Sequence, residues 1–197
     1  PFYYDTLEAL ATDKHKYPLA AVTQRPMAMY HSWDSQNAWL RQIHTHNYLY
    51  VNALTARQQG IEDGDWIWVE SQWGKVRCMA RHSEAVEPGT VWTWNAIGKA
   101  AGAWNLTPDA NESQKGFLLN HLISEELPGG PGAPGAARIS NSDPITGQAA
   151  WYDVRVRISK AEAGEAEQTS PQFAVMKPYP GMKTRSSILA YLGIKPK

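Results

Sequence analysis

The sequence predicts a mainly β protein with short helices. In the middle third of the chain, short runs of alternating polar and apolar residues recur, separated by the turn formers EDGD, QWGK and VEPGT. Alternation with period two is typical of half-buried strands, and Gly, Pro, Asn and Asp mark the turns between them. A length of 197 residues favours a single hydrophobic core, so we expect one main domain with extensions.

The first half of the chain begins with a lead-in segment without clear period, residues 1–16, followed by the short buried strand YPLAAVT. In this strand residues 19–22 are apolar and the polar Thr23 ends it. Asn52 is placed to cap a helix that runs to Gln59, and Gly60 supplies a left-handed exit from it.

Four further strands are predicted. Residues 66–71 and 76–82 flank the QWGK hairpin turn, and residues 91–94 follow VEPGT. The last strand is WYDVRVRIS, residues 151–159, whose apolar side chains alternate with charged ones and therefore face the core.

Three weaker segments complete the chain. Residues 96–103 could form a helix that Gly98 and Gly102 weaken, and the Pro/Gly-rich residues 127–137 predict a flexible linker. The chain after residue 159 is a polar tail, 160–197, with one short helix suggested by RSSILAYLG. The predicted domains are therefore a lead-in (1–16), a barrel domain (17–159) and a C-terminal tail.

Composition excludes several classes of function. Lys and Arg number 19, as do Asp and Glu, so there is no net field to attract nucleic acid or an acidic membrane. The single cysteine, Cys78, excludes an internal disulfide and a cysteine-held zinc or iron–sulfur site. No apolar run reaches the roughly 18–20 residues that cross a bilayer, so a soluble chain without direct membrane insertion is expected.

The beginning of the sequence bears on how the chain is made. The first residue is Pro1 and no secretory signal is visible, which suggests a processed chain or a fragment. We expect a cytoplasmic location, which includes the inner face of the membrane, with a periplasmic location left open.

The common catalytic motifs GxGxxG, GxxxxGK[ST], GxSxG and HExxH are missing. His44 and His46 could share a strand face and hold a metal, but no third ligand stands nearby and a surface or interface role is the preferred interpretation. Asp63 and Asp65 are explained as turn residues. The strand tryptophans are more consistent with packing into the core or against a partner domain than with a ligand site.

The segment TQRPMAMYHSWDSQNAW, residues 23–39, carries the predicted binding chemistry. It leaves a buried strand, has no helix or strand period, and combines Arg25 with several hydroxyls and with Trp33. Arginine binds phosphate in a bidentate way, hydroxyls and backbone amides complete an anion site, and a tryptophan can cover a flat ring. The alternative is a structural loop held by its own polar side chains.

The ordered segments YPLAAVTQRPMAMYHS, YVNALTARQQGIEDGDWIWVESQWGKVRCMARHSEAVEPGTV, NHLI and SDPITGQAAWYDVRVRI resemble one known family. It is the C-terminal dinucleotide-binding domain of the dimethyl-sulfoxide-reductase superfamily of molybdenum and tungsten oxidoreductases. The resemblance covers about residues 17–158. It implies a double-psi β-barrel of about six strands, the aspartate-decarboxylase-like barrel, that closes over molybdopterin guanine dinucleotide carrying Mo or W.

The resemblance also implies which residues touch the cofactor. The family's T-G-R…H-x-H/S loop corresponds to residues 23–32, with Gln24 in place of the frequent glycine, and the family's D-P-x-[ST]-G segment corresponds to residues 143–147. The implied cofactor-binding residues are Thr23, Gln24, Arg25, His31, Ser32, Trp33, Asn120, Asp143, Gly147 and Gln148.

No metal ligand or catalytic residue is identified by the resemblance. In the family the metal's protein ligand and the iron–sulfur cluster belong to other domains, so this chain resembles a cofactor-clasping part of a larger catalytic polypeptide. The segment QRPMAMYHSWDSQNAWLRQI is most similar to the subgroup acting on sulfur oxyanions. Implied partners are the remaining domains of that polypeptide, together with two further subunits: one is a ferredoxin-like iron–sulfur subunit, the other is a membrane-anchor subunit. Nucleic acid is not among the implied partners.

Two other functions stay open at this point. One is a non-catalytic protein–protein interaction module whose aromatic surface docks a partner. The other is a self-sufficient small enzyme of the aspartate-decarboxylase type, which the missing Gly-Ser self-cleavage site disfavours.

Overall fold

The computed structural model describes residues 6–31, 33–95, 97–99, 105–128, 138–143, 145–149 and 154–174. Within these residues it contains three short α-helices and nine β-strands. The helices are α1 (Leu7–Ala11), α2 (Ala38–Ile43) and α3 (Ala53–Gln58). The strands are β1 (Leu19–Gln24), β2 (Tyr48–Val51), β3 (Trp66–Ser71), β4 (Gly74–His82), β5 (Thr90–Trp94), β6 (Glu126–Pro128), β7 (Arg138–Ser140), β8 (Arg155–Lys160) and β9 (Gln172–Phe173).

Six strands form a closed barrel in the order β2-β5-β1-β8-β3-β4, and a pairing between β2 and β4 closes the ring. The pairs β1–β5 and β2–β4 are parallel, and the other four pairs are antiparallel. Closure removes the free sheet edges that would otherwise expose unpaired backbone groups. The mainly β class and the double-psi barrel that the resemblance implies are confirmed.

The barrel core is built from the alternation seen in the sequence. Every second side chain of a strand points inward, and these residues are almost wholly apolar. In β8, for example, Val156 and Ile158 are buried, whereas Arg157 between them is exposed. The inward residues include Ala21, Leu49, Val51, Ile67, Val69, Val76, Cys78, Ala80 and Val91.

Most predicted boundaries agree with the structure to within one or two residues. β3 covers residues 66–71 as predicted, and β4 begins two residues earlier than predicted because Gly74 still pairs with Ser71. Asn52 caps α3 by accepting a hydrogen bond from the Leu54 amide at 2.9 Å, and Gly60 has the expected positive φ of 67°. The turn carboxylates also behave as predicted, since Asp65 accepts a hydrogen bond from the Glu62 amide.

The prediction that residues 23–39 lack regular structure is partly wrong. A 3₁₀ helix, Trp33–Gln36, and the start of α2 lie inside this segment. The signal in the sequence is Asn37, whose side chain accepts hydrogen bonds from the amides of Trp39 and Leu40 and thereby caps α2. The helix α2 is too short to show a hydrophobic period, so its capping residue is its main signal in the sequence.

Residues 161–174, which follow β8, lie on the barrel surface. Residues 161–171 cross the outside of β3, where Arg77 donates hydrogen bonds to the Ala166 carbonyl and to Glu165, and the Trp68 indole donates to Glu165. The strand β9 then pairs with the beginning of β4, so WYDVRVRIS is not the last strand. Trp68 is therefore covered by this chain's own C-terminal residues.

Several predicted segments fall outside the described residues. These are residues 129–137 of the Pro/Gly linker, most of the possible helix at 96–103, Tyr152 and the helix suggested near residue 190. The first two residues of the predicted linker, 127–128, belong instead to β6, where Leu127 is buried. The division into lead-in, barrel domain and tail stays a prediction, although α1 lies within the lead-in. In the described part of the chain no helix is long and apolar enough to cross a membrane.

Cys78 offers a test of barrel closure. Its side chain is buried in the core, and this burial raises the pKa of the thiol well above its usual range. Because only a thiolate alkylates quickly, we expect Cys78 to resist iodoacetamide at pH 8 in the folded protein and to react fully in urea. Mass spectrometry of the alkylated protein measures this, and rapid labelling without denaturant would contradict a closed barrel.

Candidate functional site

One end of the barrel gathers the predicted site residues. The pairings place the C-terminal ends of β1, β3 and β5 at the same end as the N-terminal ends of β2, β4 and β8. We call this the cofactor end. It carries the segment that follows β1, the hairpin between β3 and β4, and the residues after β5. α3 lies at the opposite end, after β2.

Residues 115–123 close the cofactor end and form a capping segment. Phe117, Leu119 and Leu122 are buried and belong to the barrel core. The hydroxyl of Ser71 at the end of β3 donates a hydrogen bond to the Leu122 carbonyl at 2.8 Å. The segment therefore plugs the barrel with apolar side chains and turns its polar residues away from the core.

Asn47 ties the capping segment to the barrel. Its side-chain amide donates to the Trp94 carbonyl at 2.9 Å and to the Phe117 carbonyl at 3.0 Å, and its Oδ1 accepts from the Thr93 hydroxyl at 2.9 Å. The Asn47 backbone amide also donates to the Lys115 carbonyl. Sequence reasoning missed Asn47, because an asparagine before a strand is indistinguishable from an ordinary turn residue.

The 23–39 loop begins at the end of β1. Thr23 pairs with Thr93, and the Gln24 carbonyl accepts a hydrogen bond from the Asn95 amide at 2.8 Å. Arg25 is exposed and its guanidinium lies 5.9 Å from the centre of the Tyr30 ring. An exposed guanidinium beside a strand end can pair with an incoming anion, as the sequence predicted.

His31 has a positive φ of 52°, which a non-glycine residue rarely adopts. Its Nδ1 lies 3.3 Å from the side-chain amide of Asn95, and the Tyr30 amide donates to Asp34 at 2.7 Å. The loop is thus tied both to itself and to the residue that follows β5. Ser32 lies outside the described residues, and Trp33 is largely exposed.

Lys99 holds the 23–39 loop through a buried hydrogen bond. It is 8% exposed and its Nζ donates to the Ser35 hydroxyl at 2.7 Å. Burial, and next the positive charge of Arg41, lower the pKa of Lys99 from its usual value. The cofactor end therefore holds positive charge from Lys99, Arg41 and Arg25 around one loop, which favours an anionic ligand.

Four predicted site residues remain: Asn120 lies within the capping segment, and Asp143, Gly147 and Gln148 follow it in the chain. Asn120 is an exposed residue of the 3₁₀ helix Leu119–Leu122. Asp143 accepts hydrogen bonds from the amides of Thr146 and Ile145, which lower the pKa of its carboxyl, and Gly147 has a φ of 71°. Gln148 is exposed.

The Asp143 turn is held near the capping segment by Asn141. The Asn141 amide donates to the Glu125 carbonyl and its side chain donates to the Ser124 carbonyl. Strand pairing brings the residues of the 23–39 loop and Asn120 to one end of the barrel. The Asn141 contacts place the Asp143 turn beside residues 124–125, which directly follow the capping segment. Their contacts with a cofactor stay a prediction.

At the end of β5, two buried polar atoms have no hydrogen-bond partner within the described residues. These are Oδ1 of Asn95 and the indole nitrogen of Trp94. Buried polar groups normally have a hydrogen-bond partner. The partners of these two atoms would lie outside the described residues, and a cofactor that carries both hydrogen-bond donors and acceptors fits them.

The described residues hold no group of three or more His, Cys, Asp or Glu side chains able to bind a metal. The His44 ring packs against Trp94 and the His46 ring stacks on Tyr48. Burial is the largest cause that lowers the pKa of both histidines. Both imidazoles therefore lie against aromatic rings; the sequence analysis preferred a surface or interface role for them to a metal site.

A closed barrel with a cation-bearing, capped end suits an extended anionic ligand. The family model described as "Molydopterin dinucleotide binding domain" matches residues 19–138. The chain belongs to this family of molybdopterin dinucleotide-binding domains. The resemblance noted in the sequence is confirmed, and with it the molybdopterin cofactor.

Two curated relatives and one solved structure are similar to the chain. It is 66% identical over 193 residues to a sulfite dehydrogenase subunit of Allochromatium vinosum, covering 98% of this chain and 20% of that protein. It is 33% identical over 78 residues to the thiosulfate reductase molybdopterin-containing subunit of Salmonella typhimurium, covering 40% of this chain and 10% of the other. The acetylene hydratase structure from Pelobacter acetylenicus is 19% identical with a TM-score of 0.61, covering 82% of this chain and 21% of that one, and shows the shared fold.

Proposed function

We propose that this chain clasps a molybdopterin guanine dinucleotide as one domain of a molybdenum or tungsten oxidoreductase. The observation that carries the proposal is the cofactor end, where Arg25, Lys99 and Arg41 surround a loop whose neighbour Asn95 has an unsatisfied buried oxygen. The family match supports the dinucleotide, and the guanine base follows from the family resemblance.

The chain's own residues would hold the cofactor by electrostatics and shape. Arg25 would pair with the pyrophosphate, and Thr23 and the loop amides would add hydrogen bonds to it. The buried Lys99 keeps Ser35 and hence the loop in place. When bound, the cofactor supplies two-electron redox chemistry through its metal, while the capped barrel excludes water from the pterin.

The parent enzyme is proposed to oxidise or reduce a sulfur oxyanion. Two relatives whose names state such substrates, sulfite and thiosulfate, support this choice. The chain spans about a fifth of the first of them, so the metal's protein ligand and any iron–sulfur cluster would lie in other domains. The proposed partners for electron transfer are two further subunits, one ferredoxin-like and one that anchors the enzyme to the membrane.

The outer side of the 23–39 loop and α2 suits a contact with those other domains. Five large apolar side chains are exposed there: Met27, Tyr30, Trp33, Trp39 and Ile43. Exposed apolar clusters of this kind mark protein contacts. The same surface also supports the alternative of a non-catalytic interaction module, which would bind protein tightly and be indifferent to guanine dinucleotides.

Arg25→Ala tests the proposed function. We expect the variant enzyme to contain several-fold less molybdenum or tungsten, because the exposed guanidinium that pairs with pyrophosphate is gone, while its thermal unfolding is unchanged. Metal content by mass spectrometry and pterin fluorescence after oxidation measure the loss.

Arg57→Ala is the matched control, since Arg57 is an exposed arginine on α3 at the opposite end of the barrel. Normal metal and pterin content in Arg25→Ala would contradict the role of Arg25. A native wild-type protein without metal or pterin would contradict the proposed function as a whole.

A further inference from the structure

Glu8 belongs to the short helix α1 of the lead-in, yet it is only 1% exposed. Burial of a carboxylate is costly unless hydrogen bonds compensate for it, so its partners are informative. Its Oε1 accepts hydrogen bonds from the Trp73 indole at 3.1 Å, the Thr12 hydroxyl at 3.2 Å and the Gln72 side-chain amide at 3.4 Å. Its Oε2 accepts from the side-chain amide of Asn141 at 3.3 Å. The family resemblance implies none of these five residues.

The contacts of Glu8 join three segments that are far apart in the sequence. Gln72 and Trp73 form the hairpin between β3 and β4 at the cofactor end, and Asn141 follows β7. The hydrogen bonds from Trp73 and from Asn141 to Glu8 span 65 and 133 positions. One buried carboxylate of the lead-in thus connects the hairpin to the residue that precedes the Asp143 turn.

The Asp143 turn is held together by its own hydrogen bonds. The Asp143 carboxylate accepts from two backbone amides of the turn, and the Asp143 amide donates to the Gln148 carbonyl at 2.7 Å. An isolated bridge pairs Ser142 with Ala149 at the two ends of the turn. A turn with this internal bonding moves as a unit, so its place on the barrel depends on its anchor, Asn141.

We propose that Glu8 is a positioning residue for the cofactor, because through Asn141 it fixes the Asp143 turn beside the hairpin between β3 and β4. The inference rests on the proposed function, in which this turn contacts the cofactor, and extends it to the lead-in. Residue 8 lies outside residues 19–138, which the family model matches, and outside the segments that carry the family resemblance.

Glu8→Gln isolates the contact with Asn141. Three donors face the position of Oε1, so the glutamine oxygen takes that position and its NH₂ group takes the position of Oε2. There the NH₂ group faces the side-chain donor of Asn141, and two donors cannot pair. Asn141 must turn away or reverse its amide, and a reversed amide loses its hydrogen bond to the Ser124 carbonyl at 2.9 Å.

The first measurement is hydrogen–deuterium exchange in the parent enzyme, purified from cells that do not make molybdopterin so that cofactor loss cannot affect the result. We expect Glu8→Gln to speed exchange in the peptide 141–149 by about tenfold, because the turn loses a hydrogen bond to a charged group. Thr12→Val is the matched control, since it removes another donor to Glu8 and keeps the Asn141 contact. It should leave exchange in this peptide unchanged.

The second measurement is the metal and pterin content of the same variants purified from cells that make the cofactor. Glu8→Gln should contain several-fold less of both than wild type or Thr12→Val, since the displaced turn no longer meets the cofactor. If Glu8→Gln does not fold, Asn141→Leu removes the same contact from the other side and should give both results.

Unchanged exchange in the peptide 141–149 of the folded variant would overturn the inference. Normal metal and pterin content despite faster exchange would overturn it as well, as would equal effects of Thr12→Val. Wild type without metal or pterin would contradict the proposed function and this inference with it. Wild type with the cofactor, together with unaffected variants, would leave the function in place and remove only the role of Glu8.

Discussion

Asn47→Ala is expected to lower the free energy of unfolding by about 3 kcal/mol or more. The substitution leaves the Trp94 and Phe117 carbonyls without their side-chain donor and removes one acceptor from the Thr93 hydroxyl. Each buried polar group left unsatisfied costs about 1–3 kcal/mol. Urea unfolding followed by tryptophan fluorescence measures the change, and cofactor content should fall with it because the capping segment is loosened.

Asn37→Ala is the matched control for this prediction. Asn37 also makes side-chain hydrogen bonds, but it caps the exposed helix α2, where water can replace it. The loss of an N-cap costs about 1 kcal/mol. Equal destabilisation by the two variants would show that Asn47 is an ordinary polar residue and does not hold the capping segment.

Gly98→Ala is expected to destabilise the barrel by about 2–5 kcal/mol. Gly98 has a φ of +76°, and a Cβ there would lie 2.4 Å from the Lys115 carbonyl oxygen and 2.8 Å from the Gly116 Cα. Left-handed backbone costs an alanine about 1–2 kcal/mol, and the backbone clash adds about 1–3 kcal/mol. The chain can relieve the clash only by moving the capping segment away from the end of the barrel. This partial unfolding opens the core, so Cys78 should also react faster with iodoacetamide.

Gly60→Ala separates the two contributions. Gly60 has a similar φ of +67°, but a Cβ there would meet nothing within 4 Å. We expect this control to lose only the backbone contribution, about 1–2 kcal/mol. If Gly98→Ala proved no more destabilising than Gly60→Ala in the same urea titration, the close approach of the two backbone segments would be disproved.

Local signals predicted the strands well, because a strand's inward and outward residues differ in polarity at every second position. Val156 and Ile158 show this alternation in β8. The ends of α3 were predicted from a different local signal, the capping residue Asn52 and the exit residue Gly60. The same logic missed the four-residue strand β2, the exposed two-residue strand β9 and the helix α2, which lacks a buried face. Such elements exist because of what they pair with or how they are capped.

The binding site was predicted less completely. The resemblance pointed to the loop after β1, and the structure places Arg25 and His31 of that loop at the cofactor end. It gave no indication of Asn47 or Lys99, whose roles depend on partners far along the chain. The Asn47–Phe117 and Lys99–Ser35 hydrogen bonds join residues that are 70 and 64 positions apart.

Neighbouring residues were enough to specify the mainly β class, the turns and the family, since polarity alternation and turn chemistry are local properties of the chain. The closure of six strands into a ring, and the meeting of particular polar side chains at its capped end, became visible only in three dimensions. Burial and hydrogen bonding between distant segments depend on strand register, and no local pattern specifies register across the whole barrel.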